Sequence, residues 1–208
     1  MNKVNTIVFD LYNTLIKIKE PRHFFLNLFN KSENGFDLDL ASYTRLLMTK
    51  DLREVVESLP SEFEELYNRY LIDLEDELKS VVVFDEVPFV LNELRPEFQL
   101  CLISNLASPY KKPFFDNGLE QYFDKVIFSS DYGFLKPERT IFKKLEDLTG
   151  NKADEVLMVG DSLKSDVEGA KKMGWHYLRV KRTGIVENRS EIKDLSAVIK
   201  HISKTEKD

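Results

Sequence analysis

The stretch Thr6-Ile-Val-Phe-Asp-Leu-Tyr-Asn-Thr-Leu15 decides the fold of this 208-residue chain. Its first four residues, Thr6–Phe9, form an unbroken run of β-branched and apolar side chains. Such runs are typical of strands that are buried on both faces of a parallel sheet. Asp10 then places a carboxylate directly after the strand, and open parallel sheets bind ligands beyond the carboxyl ends of their strands. The stretch therefore predicts a buried strand that ends in a functional carboxylate.

Four further apolar runs of strand length follow later in the chain. They are Gln99–Ile103, Lys125–Phe128, Val156–Val159 and Trp175–Val180. Helical patterns lie between them, at Pro109–Asn117, Thr140–Thr149 and Ser165–Met173. Because strands and helices alternate, we expect an α/β fold whose parallel sheet is joined by right-handed crossovers.

The segment between the first and second predicted strands has a different character. It is rich in Phe, Leu, Tyr, Glu and Arg, and Glu62–Leu78 repeats its large apolar side chains every three to four residues, as an amphipathic helix does. We interpret residues 16–91 as a helical cap inserted into a core of residues 1–15 and 92–208. Insertions of this kind commonly serve as lids over active sites.

Charge and composition narrow the classes of partner. The chain has 30 basic and 36 acidic residues, a net charge of −6, which argues against broad nucleic-acid binding because that usually needs a basic face. Its single cysteine, Cys101, lies in an apolar run and suits a reducing cytoplasm. No apolar stretch approaches the roughly 20 residues of a membrane helix. We expect a cytoplasmic protein without a membrane or nucleic-acid partner; the oligomeric state stays open.

Polar side chains follow four of the predicted strands and should meet at one edge of the sheet. They are Asp10, Tyr12, Asn13 and Thr14; Ser104 and Asn105; Ser129, Ser130, Asp131 and Lys136; and Gly160, Asp161, Ser162 and Asp166. A carboxylate can attack phosphorus or carbon, two or three oxygen ligands can hold Mg²⁺, and a lysine can offset phosphate charge. We interpret Ser129, Ser130 and Asp131 as loop and capping residues.

This ordered set resembles the haloacid dehalogenase superfamily, hydrolases with an aspartate nucleophile. The four motifs, in the order of the family, are Asp10-Leu-Tyr-Asn-Thr14, Ser104-Asn105, Lys136-Pro137-Glu138, and Gly160-Asp161-Ser162 with Asp166. The resemblance covers nearly the whole chain. It implies a Rossmann-like parallel-sheet core with an α-helical cap inserted between the first and second motifs.

The resemblance also implies a role for each motif residue. Asp10 would be the nucleophile, and Mg²⁺ would be held by Asp10, the backbone carbonyl of Tyr12, and Asp161, with Asp166 beside these ligands or bound through water. Thr14 would brace the first loop, Ser104 and Asn105 would hydrogen-bond the transferring group, and Lys136 would offset its charge. The Tyr12 hydroxyl could donate to the leaving oxygen, with a cap residue or water as the base.

Tyr12 departs from the pattern of the family's phosphatases. They usually carry a second aspartate there, which protonates the leaving oxygen and then activates water. The family's dehalogenases carry tyrosine and need no metal, since their nucleophile attacks carbon and displaces halide. Their fourth motif, however, typically has serine and asparagine, whereas Asp161 and Asp166 form an acidic pocket that favours a cation.

We therefore predict a Mg²⁺-dependent phosphatase that acts on a small phosphorylated metabolite. The alternatives are a 2-haloacid dehalogenase and a metal- or phosphate-binding member that has lost turnover. Substrate specificity is expected to lie in the cap, where Phe24, Phe25 and Phe29 should form the cap core. Lys17 and Arg22 begin the cap near the rim, where either could meet an anionic substrate; Lys181-Arg182 we interpret as a solvated surface.

Overall fold

Strands and their parallel pairing organise the computed structural model, which describes residues 4–205. In chain order the strands are β1 (Thr6–Phe9), β2 (Ile16–Ile18), β3 (Val81–Val83), β4 (Gln99–Ser104), β5 (Lys125–Phe128), β6 (Val156–Gly160), β7 (His176–Val180) and β8 (Glu191–Ile192). Six of them form one parallel sheet in the order β5-β4-β1-β6-β7-β8. The predicted α/β fold with a parallel-sheet core is confirmed.

β1 lies between β4 and β6, with Thr6 opposite Gln99 on one side and Val156 on the other. Its side chains alternate between the two apolar clusters of the core, because successive residues of a strand point to opposite faces. Ile7 belongs to one cluster and Val8 to the other, and both are fully buried. The strand therefore delivers Asp10 to the middle of one sheet edge.

Helices cover both faces of the sheet and build the cap. They are α1 (Phe24–Phe29), α2 (Leu40–Thr49), α3 (Leu52–Ser58), α4 (Ser61–Lys79), α5 (Val87–Leu94), α6 (Lys112–Asp116), α7 (Ser129–Tyr132), α8 (Arg139–Thr149), α9 (Glu168–Met173) and α10 (Ser196–Thr205). α5 and α10 pack on the face of Ile7, and α8 and α9 pack on the face of Val8. Within residues 4–205, no helix combines the length and apolar character that a membrane span requires.

Two predicted helices differ in detail from the observed structure. The first, Pro109–Asn117, is a 3₁₀ turn over Ser108–Lys111 that continues into α6. The second, Ser165–Met173, begins earlier, with a π-helical turn over Leu163–Val167, before α9. The wider turn arises because the N–H groups of both Asp166 and Val167 donate to the carbonyl of Ser162. Such turns are frequent at functional sites.

The cap consists of α1 to α4, which share an apolar cluster of their own. Phe24 and Phe25 are buried in it and Phe29 packs against it, as predicted. α2 and α3 each begin at an aspartate, Asp39 or Asp51, whose carboxylate accepts a backbone N–H and so caps the helix. The inserted helical cap is thus confirmed.

The chain enters and leaves the cap through the antiparallel pair β2 and β3. After β3 the helix α5 returns to the sheet, and Val87, Val90 and Leu91 are fully buried in the core cluster of Ile7. The domain boundary at residue 91 remains a prediction. The packing of α5 favours a boundary before Val87, because the apolar side of that helix serves the sheet rather than the cap.

Candidate active site

Asp10 lies at the end of β1 and is almost completely buried. Its backbone N–H donates to the Val159 carbonyl of the neighbouring strand at 2.9 Å. This hydrogen bond fixes the backbone position from which the Asp10 side chain extends. The Oδ1 atom accepts hydrogen bonds from Lys136 Nζ at 2.6 Å and from Ser104 Oγ at 3.4 Å. The Oδ2 atom accepts from Thr14 Oγ1 at 3.3 Å. The first three predicted motifs therefore meet at one carboxylate.

Lys136 is the centre of the charged cluster. Its buried ammonium group donates to Asp10 Oδ1 and Asp166 Oδ1, each at 2.6 Å, and to the Ile103 carbonyl at 2.8 Å. Each of the three ammonium hydrogens of Lys136 is thus directed at an acceptor oxygen. Although burial opposes its charge, the two carboxylates raise the pKa of Lys136, so the group stays protonated at neutral pH.

Asn105 positions Lys136 through the backbone. Its Nδ2 donates to the Lys136 carbonyl at 2.9 Å, and its Oδ1 accepts from the Lys136 N–H at 2.8 Å. The sequence predicted that this amide would bind the transferring group. One Nδ2 hydrogen remains for that purpose, and the role stays a prediction.

Asp166 packs directly over Gly160 at the end of β6. Its Oδ2 accepts from the Ser162 N–H at 2.9 Å, within the π-helical turn. A Cβ atom at Gly160 would lie 2.5 Å from the Asp166 carboxylate carbon, far inside van der Waals contact. Glycine at this position therefore lets Asp166 reach Lys136.

Asp161 lies at the same strand end and is half-buried. Arg179 of β7 donates from Nε to its carbonyl at 3.1 Å, and the Asn13 side chain hydrogen-bonds its carboxylate. Asn13 has a φ of 61°, in the left-handed region that asparagine tolerates better than most residues. The first and fourth motifs are thus joined beside Asp10.

The carboxylates of Asp10, Asp161 and Asp166 form one cluster, with an oxygen of each within 4.8 Å of the others. Burial raises the pKa of Asp10 to about 7 against the opposing effect of Lys136. Burial, and then the nearby charge of Asp166, also raises the pKa of Asp161. Repulsion among buried carboxylates is relieved by a cation, and oxygen ligands of this kind are those that Mg²⁺ prefers. The donor set therefore fits the predicted metal.

Arg182 is a site residue that the sequence prediction missed. It donates from Nε to the Asn13 carbonyl at 3.1 Å and from an Nη atom to the Thr14 carbonyl at 2.5 Å. Glu86 pairs with it at 2.8 Å, and its guanidinium lies 3.3 Å from the centre of the Phe84 ring. The prediction of a solvated surface was therefore wrong for this residue. Its position just after β7, at the same sheet edge, was the signal that could have found it.

The Tyr12 side chain contacts Tyr110 in the loop after β4. Its hydroxyl donates to the Tyr110 carbonyl at 3.0 Å, and the two rings meet edge to face with centres 5.9 Å apart. Burial, followed by the charge of Glu77, raises the pKa of Tyr12 above its ordinary value. The side chain therefore stays protonated at neutral pH and is unsuited to act as a base.

Beyond Tyr12, a cavity of about 620 Å³ that opens to solvent lies between the cap and the core, and it is called the cap cavity below. Its apolar lining consists of Ile18, Pro21, Phe25, Leu26, Leu40, Leu47, Met48, Leu106 and Ala107. Its other lining residues are Tyr12, Asn13, His23, Tyr43, Thr44, Glu77, Asn105 and Tyr110. Lys17 and Arg22, which the sequence placed near the rim, are not among the described residues that line it.

Glu77 of α4 and Tyr110 were also missed by the sequence prediction. The buried Glu77 carboxylate accepts from the Tyr110 hydroxyl at 2.7 Å and from the Arg22 backbone N–H at 2.6 Å. These contacts join the cap to the loop after β4. Neither residue stands in a recognisable motif, and only the helical period of α4 hinted that one of its faces is buried.

The three polar residues after β5 lie in the helix α7, and no side chain caps that helix, so their interpretation as loop and capping residues was wrong. The Ser130 hydroxyl is buried without a hydrogen-bond partner among the described residues. Ser129 Oγ accepts from the Leu106 N–H at 3.1 Å and so holds the loop after β4. Asp131 pairs with Lys111 at 2.6 Å.

Comparisons with known proteins agree with this geometry. A family model of haloacid dehalogenase-like hydrolases matches residues 4–174. Phosphoglycolate phosphatase from Aquifex aeolicus is 25% identical over 193 residues, which are 85% of this chain and 88% of that protein. It is a distant relative of this chain.

Two solved structures have the same fold over almost their whole length. The HAD hydrolase YfnB from Bacillus subtilis, bound to magnesium, has a TM-score of 0.67 at 21% identity and covers 97% of this chain and 99% of its own. The L-2-haloacid dehalogenase from Xanthobacter autotrophicus has a TM-score of 0.68 at 19% identity, with the same coverage. At such identities the likeness shows the fold, and it does not distinguish a phosphatase from a haloacid dehalogenase.

Proposed function

The chain belongs to the haloacid dehalogenase-like hydrolases, and from this premise we propose that it is a Mg²⁺-dependent phosphatase of a small phosphorylated metabolite. The observation that carries the proposal is the buried cluster of Asp10, Asp161 and Asp166 around a single lysine. Three ionised carboxylates and one ammonium leave two negative charges, and a divalent cation balances them. A halide leaving group gains nothing from such a pocket.

The proposed reaction has two covalent steps. An Asp10 oxygen forms a bond to phosphorus while the bond between phosphorus and the oxygen of the leaving alcohol breaks. Water then hydrolyses the phospho-aspartate, which releases inorganic phosphate and restores the carboxylate. Bound Mg²⁺, held by Asp10, Asp161 and the Tyr12 carbonyl, supplies positive charge that favours the ionised nucleophile and offsets phosphoryl charge.

The surrounding residues have supporting roles in this proposal. Lys136 balances the charge of Asp10 and of the phosphoryl oxygens, and Asp166 holds Lys136 and binds the metal through water. Thr14 braces Asp10, and the free hydrogen of Asn105 donates to the phosphoryl group. The Ser104 hydroxyl, which donates to Asp10 at 3.4 Å before substrate binds, turns to donate to the phosphoryl group as well. The lone cysteine of the chain, Cys101, is buried, which suits the expected reducing cytoplasm.

Tyr12 makes the proposed enzyme a slow one. Because burial keeps its hydroxyl protonated, the tyrosine cannot activate water, and water must take over the proton transfers of the usual aspartate. Loss of a positioned acid or base costs roughly 10²–10⁴ in rate.

A 2-haloacid dehalogenase is the second candidate, and Tyr12 together with the apolar cap cavity favours it. Asp161 and Asp166 oppose it, because a metal-independent attack on carbon is hindered by extra buried negative charge. Halide release from 2-chloropropionate in the presence of EDTA would establish this activity. An absolute requirement for Mg²⁺ would exclude it.

The experiment that tests the phosphatase proposal is a panel of phosphorylated metabolites and one aryl phosphate, assayed for phosphate release with Mg²⁺ and with EDTA. We expect release with Mg²⁺ alone, and none from the Asp10→Asn variant. If Mg²⁺ and phosphate bind in calorimetry but no substrate turns over, the chain is a binding member that has lost turnover. Release that Asp10→Asn leaves unchanged would contradict the proposal.

A further inference from the structure

We propose that the cap cavity selects the substrate by its leaving group, and that this group is an apolar alcohol without negative charge. The inference rests on the proposed phosphatase function and deepens it. It concerns the part of the substrate that does not react, which the motifs at the sheet edge leave undetermined.

The cavity adjoins the reaction site, although Asp10 itself does not line it. Tyr12, Asn13 and Asn105 line it, and these residues belong to the loops that carry the nucleophile and the second motif. A phosphoryl group at Asp10 therefore has the cap cavity beside it. The leaving alcohol extends into that space, because the other sides of Asp10 are occupied by Lys136 and Thr14.

The wall of the cavity is suited to apolar groups. On the cap side it is formed by Phe25, Leu26, Leu40, Leu47 and Met48, which come from α1 and α2. Ligand sites are typically lined in this way, with a few polar groups that set orientation. An alkyl or aryl leaving group removes its own surface and that of the wall from water, which favours its binding.

The charge of the cavity excludes anionic leaving groups. Among the described residues that line it, none is Lys or Arg, while Glu77 contributes a buried carboxylate. Both oxygens of Glu77 accept hydrogen bonds from neutral donors, and no cationic side chain of residues 4–205 forms an ion pair with it. An anionic leaving group in the cavity would lose its hydration next to the Glu77 carboxylate and would find no cation to pair with. Burying an unpaired charge in this way is costly.

The two cations that the sequence placed near the rim of the cap are engaged elsewhere. The Arg22 side chain faces Asp76 at 4.0 Å, and Lys17 lies 5.1 Å from the centre of the Phe84 ring. His23, an exposed residue at the cavity, is the remaining lining group that could gain positive charge.

The test compares 4-methylbenzyl phosphate with 4-carboxybenzyl phosphate at pH 8 in saturating Mg²⁺. The methylene group insulates the reacting oxygen, so the two esters differ mainly in the charge of the distal group. We expect kcat/KM to be higher for the methyl ester by about tenfold, which corresponds to about 1.4 kcal/mol. Equal values, or a preference for the carboxylate, would overturn the inference.

Two matched variants show whether the cavity causes the preference. Leu26→Lys places a cation at the cavity from a side chain that is 43% exposed, so the fold should tolerate it. We expect it to raise kcat/KM for the carboxybenzyl ester and to reduce the preference several-fold. Ile72→Lys is the control, because Ile72 is 58% exposed on α4 and does not line the cavity. An equal effect of the two variants would contradict the assignment.

The failures of the two proposals can be distinguished. If neither ester and no member of the metabolite panel releases phosphate, the phosphatase proposal itself is contradicted. If the panel is hydrolysed and neither ester is, only the selection by the cap cavity is wrong. If both are hydrolysed through Asp10 with the same kcat/KM, the phosphatase proposal stands and the selection by the cap cavity is wrong.

Discussion

The sheet edge around Asp10 and the cap cavity adjoin each other at Tyr12, yet different forces build them. At the sheet edge, Lys136 alone donates three hydrogen bonds of 2.6 to 2.8 Å, and each carboxylate has a donor. In the cap cavity, apolar side chains form most of the wall, and Glu77 adds a buried charge. Directed polar contacts fix positions to within tenths of an ångström, whereas apolar packing mainly sets volume. The first region is thus suited to the reaction and the second to selection.

Asp10→Asn should produce the largest effect, and it tests whether the sheet edge alone carries the reaction. Asparagine cannot form the covalent intermediate, so we expect phosphate release to fall by about 10⁴-fold or more. The fold should persist, because asparagine has nearly the same volume as aspartate and Lys136 keeps its ion pair with Asp166. Single-turnover phosphate release measures the loss. Asp131→Asn is the control, since Asp131 pairs with Lys111 outside the cluster; equal losses would contradict the assignment.

Gly160→Ala should be next in size, and it tests how tightly the sheet edge is packed. The new methyl group overlaps the Asp166 carboxylate, so that side chain must leave Lys136. We expect the free energy of unfolding to fall by about 1–3 kcal/mol, as for other overpacked sites, and Mg²⁺ to bind more weakly. Urea unfolding and calorimetry measure both. In an Asp166→Gly background, which also removes the Cβ atom that would lie 2.8 Å from the new methyl group, the same change should cost much less. An unchanged cost would contradict this explanation.

Arg182→Met tests whether the loop that carries Asp10 depends on a contact from outside the motifs. The variant loses the hydrogen bonds to the Asn13 and Thr14 carbonyls, so the loop should move by a fraction of an ångström. We expect kcat to fall roughly tenfold, because small misplacements are costly in catalysis. Mg²⁺ affinity should fall as well.

Arg182→Lys is the matched variant, since it keeps the charge but cannot reach both carbonyls as a planar fork does. It should recover only part of the activity. Full recovery would mean that charge alone matters, and an unchanged kcat in Arg182→Met would remove the loop contact from the site.

Tyr43→Phe should have the smallest effect, and it examines the cap by itself. The buried Tyr43 hydroxyl donates to the Phe25 carbonyl at 3.1 Å, so its loss should cost about 1 kcal/mol at pH 7. Burial raises the pKa of Tyr43 above the value of about 10 in an unfolded chain. The folded state therefore holds the proton to higher pH than the unfolded state does, and stability is lost as the pH rises above about 10.

The phenylalanine variant lacks this titration. The difference in unfolding free energy between parent and variant should therefore shrink towards zero near about pH 11, because one pH unit beyond the unfolded pKa costs about 1.4 kcal/mol. Urea unfolding from pH 7 to 11 measures it. A difference that stays constant over this range would show that the Tyr43 proton is not held by the fold.

The difference between the sheet edge and the cap cavity also explains what could be predicted from the sequence. β1 and the cluster of Asp10, Lys136 and Asp166 follow from local patterns, since each residue stands at the end of a recognisable strand. Parallel topology then brings those ends to one edge, whatever the helices between them do. The few residues next to a motif at a strand end therefore determine where that motif lies in the fold.

Arg182, Glu77 and Tyr110 could not be predicted in this way. Their partners are distant in sequence: Arg182 contacts the loop after β1, and Glu77 of the cap contacts Tyr110 of the core. Such contacts depend on how the cap and β7 pack against their neighbours. Neither the hydrophobic periodicity of the sequence nor the spacing of its motifs encodes that packing. For the same reason, the lining of the cap cavity became known only with the structure.

The central place of β1 has a consequence for the order in which the protein is made. Thr6 leaves the ribosome early, but its pairing partners Gln99 and Val156 are synthesised only after the whole cap. The helices α1 to α4 contact one another over shorter sequence distances, and domains with local contacts fold quickly. We therefore expect the nascent chain to hold a folded cap while the strand that bears the nucleophile still waits for both of its neighbours.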